Sequence, residues 1–105
     1  MRRGDVHLVE LDPTRGSEIR KTRPCVIVSP NDLNLHLRTV IVAPLTSSGK
    51  PYPFRVPCRF ANRSGLIVLD QIRTVDRERL VKNVGRLTPA TMALVLDVLR
   101  EMFAR

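Results

Sequence analysis

The sequence has few cysteines and few aromatic residues, and it has no tryptophan. Neither Cys25 nor Cys58 has a second cysteine or a histidine at the spacing of a metal site. We expect both to be small buried hydrophobic residues without a disulfide. The four aromatic residues are Tyr52, Phe54, Phe60 and Phe103. They are too few for an extended platform on which successive bases of a single strand stack.

Long apolar runs are also missing. No segment is apolar enough to span a bilayer, and the N-terminus lacks the apolar stretch of a secretory signal. We therefore expect a cytoplasmic protein that does not bind membranes. With 105 residues, 43% of them hydrophobic, and no low-complexity stretch, the composition predicts a single domain over residues 1–105.

Motifs that mark the common enzyme classes are absent. The sequence has no metal motif, P-loop, dinucleotide fingerprint, nucleophile elbow or paired-cysteine motif. We expect neither a metal nor a cofactor. Nothing in the sequence brings His7, in the first predicted strand, close to His36, in a loop. We expect both histidines to be ordinary structural or surface residues.

Positive charge is what the sequence has in excess, and it is unevenly distributed. Residues 1–25 carry six Lys or Arg against four acidic residues, and residues 50–86 carry nine against three, within a net charge of +8. Two basic segments of this kind are typical of a surface that attracts polyanions such as nucleic acid. A solvated basic surface that serves only solubility explains the charge equally well.

Short apolar runs bounded by turn residues predict a β-rich protein. Strong strand signals cover residues 5–11, 24–29 and 39–45, and weaker ones cover 52–56, 65–69 and 81–87. Residues 30–35 could form one helical turn and residues 76–80 another, with Asp76 as its N-cap. Many short strands at near-regular spacing favour a curled sheet or a small barrel.

One long helix is predicted at the end of the chain. Thr88 can cap it, Pro89 suits its first position, and it should run to about Ala104. Its apolar stripe consists of Met92, Val95, Leu96, Leu99, Met102 and Phe103, widened by Leu94 and Val98. So broad a stripe could also serve a dimer interface.

The loop at residues 14–23 is the first candidate for chemistry. It contains four cations, one carboxylate and three hydroxyls, a mixture that suits phosphate binding. A solvated hairpin loop is the alternative explanation. Thr46, at the end of the third predicted strand, is a second candidate, although a hydroxyl there is by itself only a strand terminator.

Several motifs in order along the chain resemble the MazF/PemK family of toxin endoribonucleases. The matching segments are Arg3-Gly4-Asp5, Leu11-Asp12-Pro13-Thr14-Arg15-Gly16-Ser17-Glu18, Thr22-Arg23-Pro24, Val26-Ile27-Val28-Ser29-Pro30, Val42-Ala43-Pro44-Leu45-Thr46, Tyr52-Pro53-Phe54, Asp70-Gln71-Ile72-Arg73-Thr74 and Gly85-Arg86-Leu87. The resemblance covers almost the entire chain. The family often has Gln and Gly after the Gly-Ser-Glu triplet, where this chain has Ile19-Arg20-Lys21.

The resemblance implies an α+β fold, a small SH3-like barrel with a C-terminal helix. It also implies a homodimeric toxin that cleaves single-stranded RNA without a metal and is inhibited by an acidic antitoxin. The ribose 2′-hydroxyl would attack the adjacent phosphorus, leaving a 2′,3′-cyclic phosphate and a 5′-hydroxyl. The family's catalytic arginine and threonine fall on Arg23 and Thr46, and a carboxylate with an assigned role falls on Glu18.

RNA contacts are expected from Ser17, Arg20 and Lys21 in the loop and from Gln71. A guanidinium is a poor base near neutral pH, so Glu18 either accepts the 2′-hydroxyl proton or orients Arg23; we favour the orienting role. Two other functions stay open at this point. A related toxin family with the same fold poisons gyrase, and a non-catalytic nucleic-acid-binding module would need only the basic surface.

Overall fold

The framework of the protein is an antiparallel sheet of seven strands, seen in a computed structural model that describes residues 1–105. The strands are β1 (Asp5–Glu10), β2 (Thr22–Ile27), β3 (Thr39–Thr46), β4 (Arg55–Phe60), β5 (Arg63–Val68), β6 (Arg73–Asp76) and β7 (Leu80–Arg86). Helix α1 (Asn31–His36) follows β2, helix α2 (Pro89–Phe103) ends the chain, and single 3-10 turns cover Leu69–Gln71 and Arg77–Arg79.

Strand β3 organises the sheet because it changes partner along one edge. The strand order is β4-β5-β3-β2-β1-β7, with β6 also paired to β3. The first half of β3, Thr39 to Val42, pairs with β6, whereas Leu45 and Thr46 pair with β5. The sheet therefore curls into an open, barrel-like shape. This arrangement, with the terminal helix, confirms the predicted β-rich α+β class.

The central strands are buried on both faces, which explains their nearly continuous apolar sequence. Val26 and Ala43 belong to a cluster that α2 and the β4–β5 hairpin cover. Ile27 and Val42, the next residues on the same strands, belong to a second cluster on the other face with Val75 of β6. Because side chains alternate along a strand, one apolar run supplies both clusters.

Helix α2 begins as predicted. The Thr88 side chain accepts a hydrogen bond from the Thr91 amide at 3.2 Å, and Pro89 occupies the first helical turn. Met92 and Val95 are buried against the sheet. The predicted stripe is wrong at its margins, because Leu94 is 48% exposed and Phe103 is 71% exposed. Neither helix of the chain has the length and apolar composition needed to cross a bilayer.

Two strands differ from the sequence prediction. Strand β4 begins at Arg55, and the segment expected to start it turns instead at Phe54, which has φ +67°. Pro57 lies within β4, where an edge strand tolerates a residue that lacks an N–H. Strand β6 was not predicted, since only Val75 in it is buried.

The turn at Arg77–Arg79 is confirmed, and Asp76 caps it by accepting a hydrogen bond from the Glu78 amide.

Candidate active site

Arg23 and Thr46 lie on neighbouring strands and line the same pocket, of about 300 Å³. The ladder between β2 and β3 pairs Cys25 with Pro44. Extended by two residues along each antiparallel strand, it brings Arg23 opposite Thr46. Arg23 belongs to β2, where it pairs with Val9, so its expected position in the loop is wrong. Its side chain is exposed, as expected.

The Thr46 hydroxyl takes part in a tight turn beyond the end of β3. Its Oγ1 donates to the Ser48 carbonyl at 3.1 Å and accepts from the Ser48 amide at 3.2 Å. A threonine at this position therefore closes the strand locally. It also lies at the wall of the pocket, so the structural and the chemical interpretation of Thr46 are compatible.

The β4–β5 hairpin forms the opposite wall of this pocket. Its two-residue turn has φ +51° at Ala61 and φ +62° at Asn62, the signs of a type I′ turn. The hairpin lies close to β3 at Gly65, where an added Cβ would be 2.4 Å from the Thr46 carbonyl oxygen. The backbone conformations of this hairpin and its close approach therefore shape the pocket.

Several lining residues were not identified from the sequence. The apolar part of the lining includes Leu8, Cys58, Phe60 and Val84, and the polar part includes Arg63. Asn62 was the one signal for the turn, because asparagine tolerates positive φ whereas alanine does so rarely. Cys58 is only half-buried, so its predicted burial is wrong in degree. Burial raises the pKa of the Cys58 thiol.

Three of the other predicted site residues line a second pocket, of about 430 Å³. Ser17, Glu18 and Gln71 all border it. The Gln71 side chain accepts from the Ile19 amide at 2.7 Å and donates to the Ser17 carbonyl at 3.4 Å. Gln71 therefore connects the loop between β1 and β2 to the turn after β5.

Glu18 does not contact Arg23 in this conformation. Its carboxylate accepts from the Arg15 amide at 2.5 Å, and its own amide donates to the Arg15 carbonyl at 3.1 Å. Arg23 Nε instead donates to the Arg20 carbonyl at 3.2 Å. Arg20 and Lys21 are both exposed. The structure thus places Arg23 with Thr46, and Glu18 with Ser17 and Gln71, in two separate pockets.

An ion pair holds the segment that precedes Gln71. Arg55 Nε and Nη2 each lie 3.0 Å from a carboxylate oxygen of Asp70. Hydrogen bonds from this guanidinium lower the pKa of Asp70. The Arg55 guanidinium also lies 5.1 Å from the centre of the Tyr52 ring. Several arginines of the second basic segment serve the fold in a similar way: Arg73 donates to the Leu11 carbonyl and Arg79 to those of Glu10 and Asp12.

The sequence profile of one family matches nearly the whole chain. The family is described as the PemK-like, MazF-like toxin of type II toxin–antitoxin systems, and the match covers residues 2–103. The chain belongs to this family. The chain has no group of three or more histidine, cysteine, aspartate or glutamate residues placed to hold a metal ion.

Individual members of the MazF family agree with this assignment in sequence. The chain is 39% identical over 111 residues to endoribonuclease MazF9 of Mycobacterium tuberculosis, covering 95% of this chain and 93% of that protein. It is 33% identical over 93 residues to the endoribonuclease toxin MazF of Escherichia coli K12, covering 88% and 84%. The predicted family and enzyme class, a toxin endoribonuclease, are confirmed by these relatives, and the gyrase-poisoning alternative is not favoured.

Solved MazF structures agree in fold. MazF from Deinococcus radiodurans superposes with a TM-score of 0.85 at 26% identity, covering 97% of this chain and 94% of that chain. A mycobacterial endoribonuclease in complex with its cognate antitoxin superposes with a TM-score of 0.81 at 27% identity, covering 96% and 92%. The barrel-like fold predicted from the family resemblance is therefore confirmed.

Proposed function

We propose that this chain, as a single toxin domain over residues 1–105, cleaves single-stranded RNA in the pocket that Arg23 and Thr46 share. The observation that carries the proposal is their meeting across β2 and β3, with the Arg23 side chain exposed at the pocket. The names of the relatives, endoribonucleases at 33% and 39% identity, support the same activity.

The proposed reaction uses the RNA's own nucleophile. The bond from the ribose 2′-oxygen to phosphorus forms while the bond from phosphorus to the 5′-oxygen breaks. A base takes the 2′-hydroxyl proton, and the leaving 5′-oxygen gains a proton. The protein must therefore orient the phosphodiester and stabilise the charge that develops on it. Such a reaction needs no metal, and we propose that it proceeds without one.

Arg23 is suited to stabilise that charge. Its guanidinium is permanently cationic and presents a planar pair of donors to two phosphate oxygens. Thr46 would donate a further hydrogen bond. Because its hydroxyl donates to the Ser48 carbonyl in the free protein, it must rotate towards the phosphate when RNA binds.

Glu18 remains the carboxylate proposed to assist. Its hydrogen bonds with Arg15 shape the loop, which supports a positioning role more than that of a base. A glutamine side chain keeps an oxygen that can accept the hydrogen bond from the Arg15 amide. If Glu18 positions the loop, Glu18→Gln should therefore retain most of the rate. If Glu18 is the base, Glu18→Gln should be as slow as Glu18→Ala.

RNA is proposed to extend from the Arg23 pocket along the loop. Ser17, Arg20, Lys21 and Gln71 are the residues we propose to contact it. Arg20 and Lys21 are exposed cations that can pair with backbone phosphates, and the hydrogen bonds of Gln71 hold the loop in place. RNA binding should therefore weaken steeply as the salt concentration rises.

Three further proposals concern partners and location. An acidic antitoxin is expected to bind the same cationic surface, in line with the antitoxin complex known for the mycobacterial relative.

A homodimer is proposed because α2 leaves Leu94 and Phe103 exposed. We propose a cytoplasmic location, where the proposed RNA substrate is found. Sedimentation equilibrium tests the dimer, and its mass should fall to one chain when Phe103 is replaced by Asp.

The deciding experiment is incubation of the purified protein with a mixed pool of single-stranded RNA in EDTA. We expect cuts at a short sequence motif and products that carry 2′,3′-cyclic phosphate and 5′-hydroxyl ends. Arg23→Ala should abolish cleavage, and Arg23→Lys should restore little because a point charge cannot reproduce the guanidinium fork. Because the Arg23 side chain is exposed, both variants should fold normally, and an unchanged melting temperature would verify this.

Thr46 is tested by two substitutions in the same assay. Thr46→Ala should slow the chemical step by ~10²-fold while RNA binding changes little, and Thr46→Ser should retain much of the rate. RNA retention without cleavage under all conditions would contradict the proposed activity and favour a binding module. Equal and full activity of both Thr46 variants would reduce Thr46 to a strand terminator.

A further inference from the structure

One arginine that the proposed reaction does not use lines the same pocket as Arg23. Arg63 is the first residue of β5 and is exposed. Strand β3 lies between β2 and β5 in the sheet, so Arg23 and Arg63 approach the strand of Thr46 from its two sides. The two-residue turn before Arg63, with positive φ at Ala61 and Asn62, sets where the Arg63 backbone lies.

The guanidinium of Arg63 is free, unlike those of most arginines in the second basic segment. Arg55 pairs with Asp70, and Arg73 and Arg79 donate to backbone carbonyls. Arg63 takes part in none of the ion pairs or side-chain hydrogen bonds of the protein. A cation with no structural partner at the rim of a pocket is available for a ligand.

The hairpin offers an internal comparison in Arg59. The ladder pairs Phe60 with Arg63 and Cys58 with Gly65, so these four residues share the face that lines the pocket. Arg59 lies between Cys58 and Phe60, so its side chain points to the opposite face. It is exposed, has no ion pair and lines no pocket described above. The two arginines differ in the face that they occupy.

The floor beside Arg63 is apolar. The Phe60 ring packs on Gly85 of β7, where an added Cβ would lie 3.0 Å from two ring carbons. This packing closes the pocket between the hairpin and the sheet. Its volume of about 300 Å³ is at the lower end for small-ligand sites. An apolar floor with a cation at its rim suits one nucleotide, whose base has two apolar faces and whose phosphate is anionic.

We propose that Arg63 binds the RNA phosphate next to the one that Arg23 holds, with the intervening nucleotide lying over the Phe60 floor. This inference rests on the proposed ribonuclease activity. Arg63 then binds substrate without contributing to the charge that develops at the scissile phosphate. Loss of Arg63 should weaken binding of the ground state and of the transition state equally. KM should therefore rise while kcat stays largely unchanged.

The test compares Arg63→Ala with Arg59→Ala in steady-state cleavage of a short single-stranded RNA that contains the mapped cleavage motif. For Arg63→Ala we expect KM to rise about tenfold, as for loss of one charge-assisted hydrogen-bonded contact. The slope of log affinity against log salt should fall by about 0.7, the value for one phosphate contact on a single strand. Arg59→Ala should leave both quantities close to wild type.

A conservative variant separates charge from geometry. Arg63→Lys should keep the wild-type salt slope but recover only part of the KM, because an ammonium cannot form two parallel hydrogen bonds with a phosphate. Both arginine side chains are exposed, so all three variants should have the wild-type melting temperature. A measured match confirms that KM reports binding rather than unfolding.

The outcomes distinguish this inference from the activity on which it rests. If wild type cleaves, Arg23→Ala does not, and Arg63→Ala behaves like Arg59→Ala, the role of Arg63 is overturned and the ribonuclease stands. If wild type cleaves no RNA, both fail. If Arg63→Ala cleaves normally but binds an acidic antitoxin peptide less tightly, Arg63 belongs to the protein interface and the RNA proposal is overturned.

Discussion

A single methyl group at Gly65 should disturb the pocket more than it disturbs the fold. The added Cβ of Gly65→Ala would lie 2.4 Å from the Thr46 carbonyl oxygen and 3.3 Å from its carbonyl carbon. Real Cβ atoms essentially never approach closer than 3.0 Å, so β3 and the hairpin must separate by about 0.6 Å or more. Gly65 does not have positive φ, so the conflict is steric only.

The displaced atoms are those of the residue proposed to contact the scissile phosphate. Overpacking of this kind costs about 1–3 kcal/mol of stability. A misplacement of ~1 Å at a reacting centre can cost about 10²-fold in rate. Because the shift falls on the backbone of Thr46, we expect kcat to fall by about tenfold or more while the protein stays folded at 25 °C.

The assay is kcat for RNA cleavage, measured beside the free energy of unfolding in urea. Val95→Ala is the matched control, because Val95 is fully buried in α2 and its truncation should cost about 2 kcal/mol away from the pocket. Gly65→Ala should lose kcat and Val95→Ala should not, at similar stability. Equal kcat in the two variants would refute the argument that the close approach at Gly65 positions Thr46.

Three other perturbations test particular contacts. Burial lowers the pKa of His7 below the usual histidine value of 6.5. The unfolded chain therefore takes up its proton first, and stability should fall as pH drops below 6.5. Melting curves at pH 7.5 and 5.5 should differ less for His7→Gln than for wild type. The lowered pKa of Asp70 means that its pairing with Arg55 contributes above pH 3.8 and is lost as pH falls through the lowered value. Arg55→Ala should therefore speed hydrogen exchange of the loop amide held by Gln71 at neutral pH, and unchanged exchange would contradict the proposed anchor. Thr88→Ala removes the cap of α2 and should lower stability by about 1 kcal/mol, or Tm by about 4 °C, with no change in kcat; an unaltered calorimetric Tm would show that the cap is dispensable.

Local signals in the sequence were sufficient for the elements that depend on neighbouring residues. The cap at Thr88 and the proline that follows it are helix-start signals within one turn, and they were located correctly. Strand β3 is apolar along its length and was predicted to within a residue. Strand β6 has no such apolar run in its sequence. It forms because it hydrogen-bonds to the edge of β3, which is distant in the chain. The bounds of strand β4 were predicted wrongly. A proline argues against a strand in the sequence, and Pro57 is tolerated only because β4 lies at the edge of the sheet.

The candidate site shows the same division. Motif order along the chain was enough to indicate the family and to select Arg23, Thr46 and Glu18. Their grouping was decided by the tertiary structure: the β2–β3 register brings Arg23 to Thr46, whereas the turn with Arg15 holds Glu18 in another pocket. Arg63 enters the site only through the fold of the hairpin over β3. The sequence by itself determines residue chemistry and local conformation, but ladder register and close backbone approach join residues far apart in the chain, so only the folded structure reveals which of them meet.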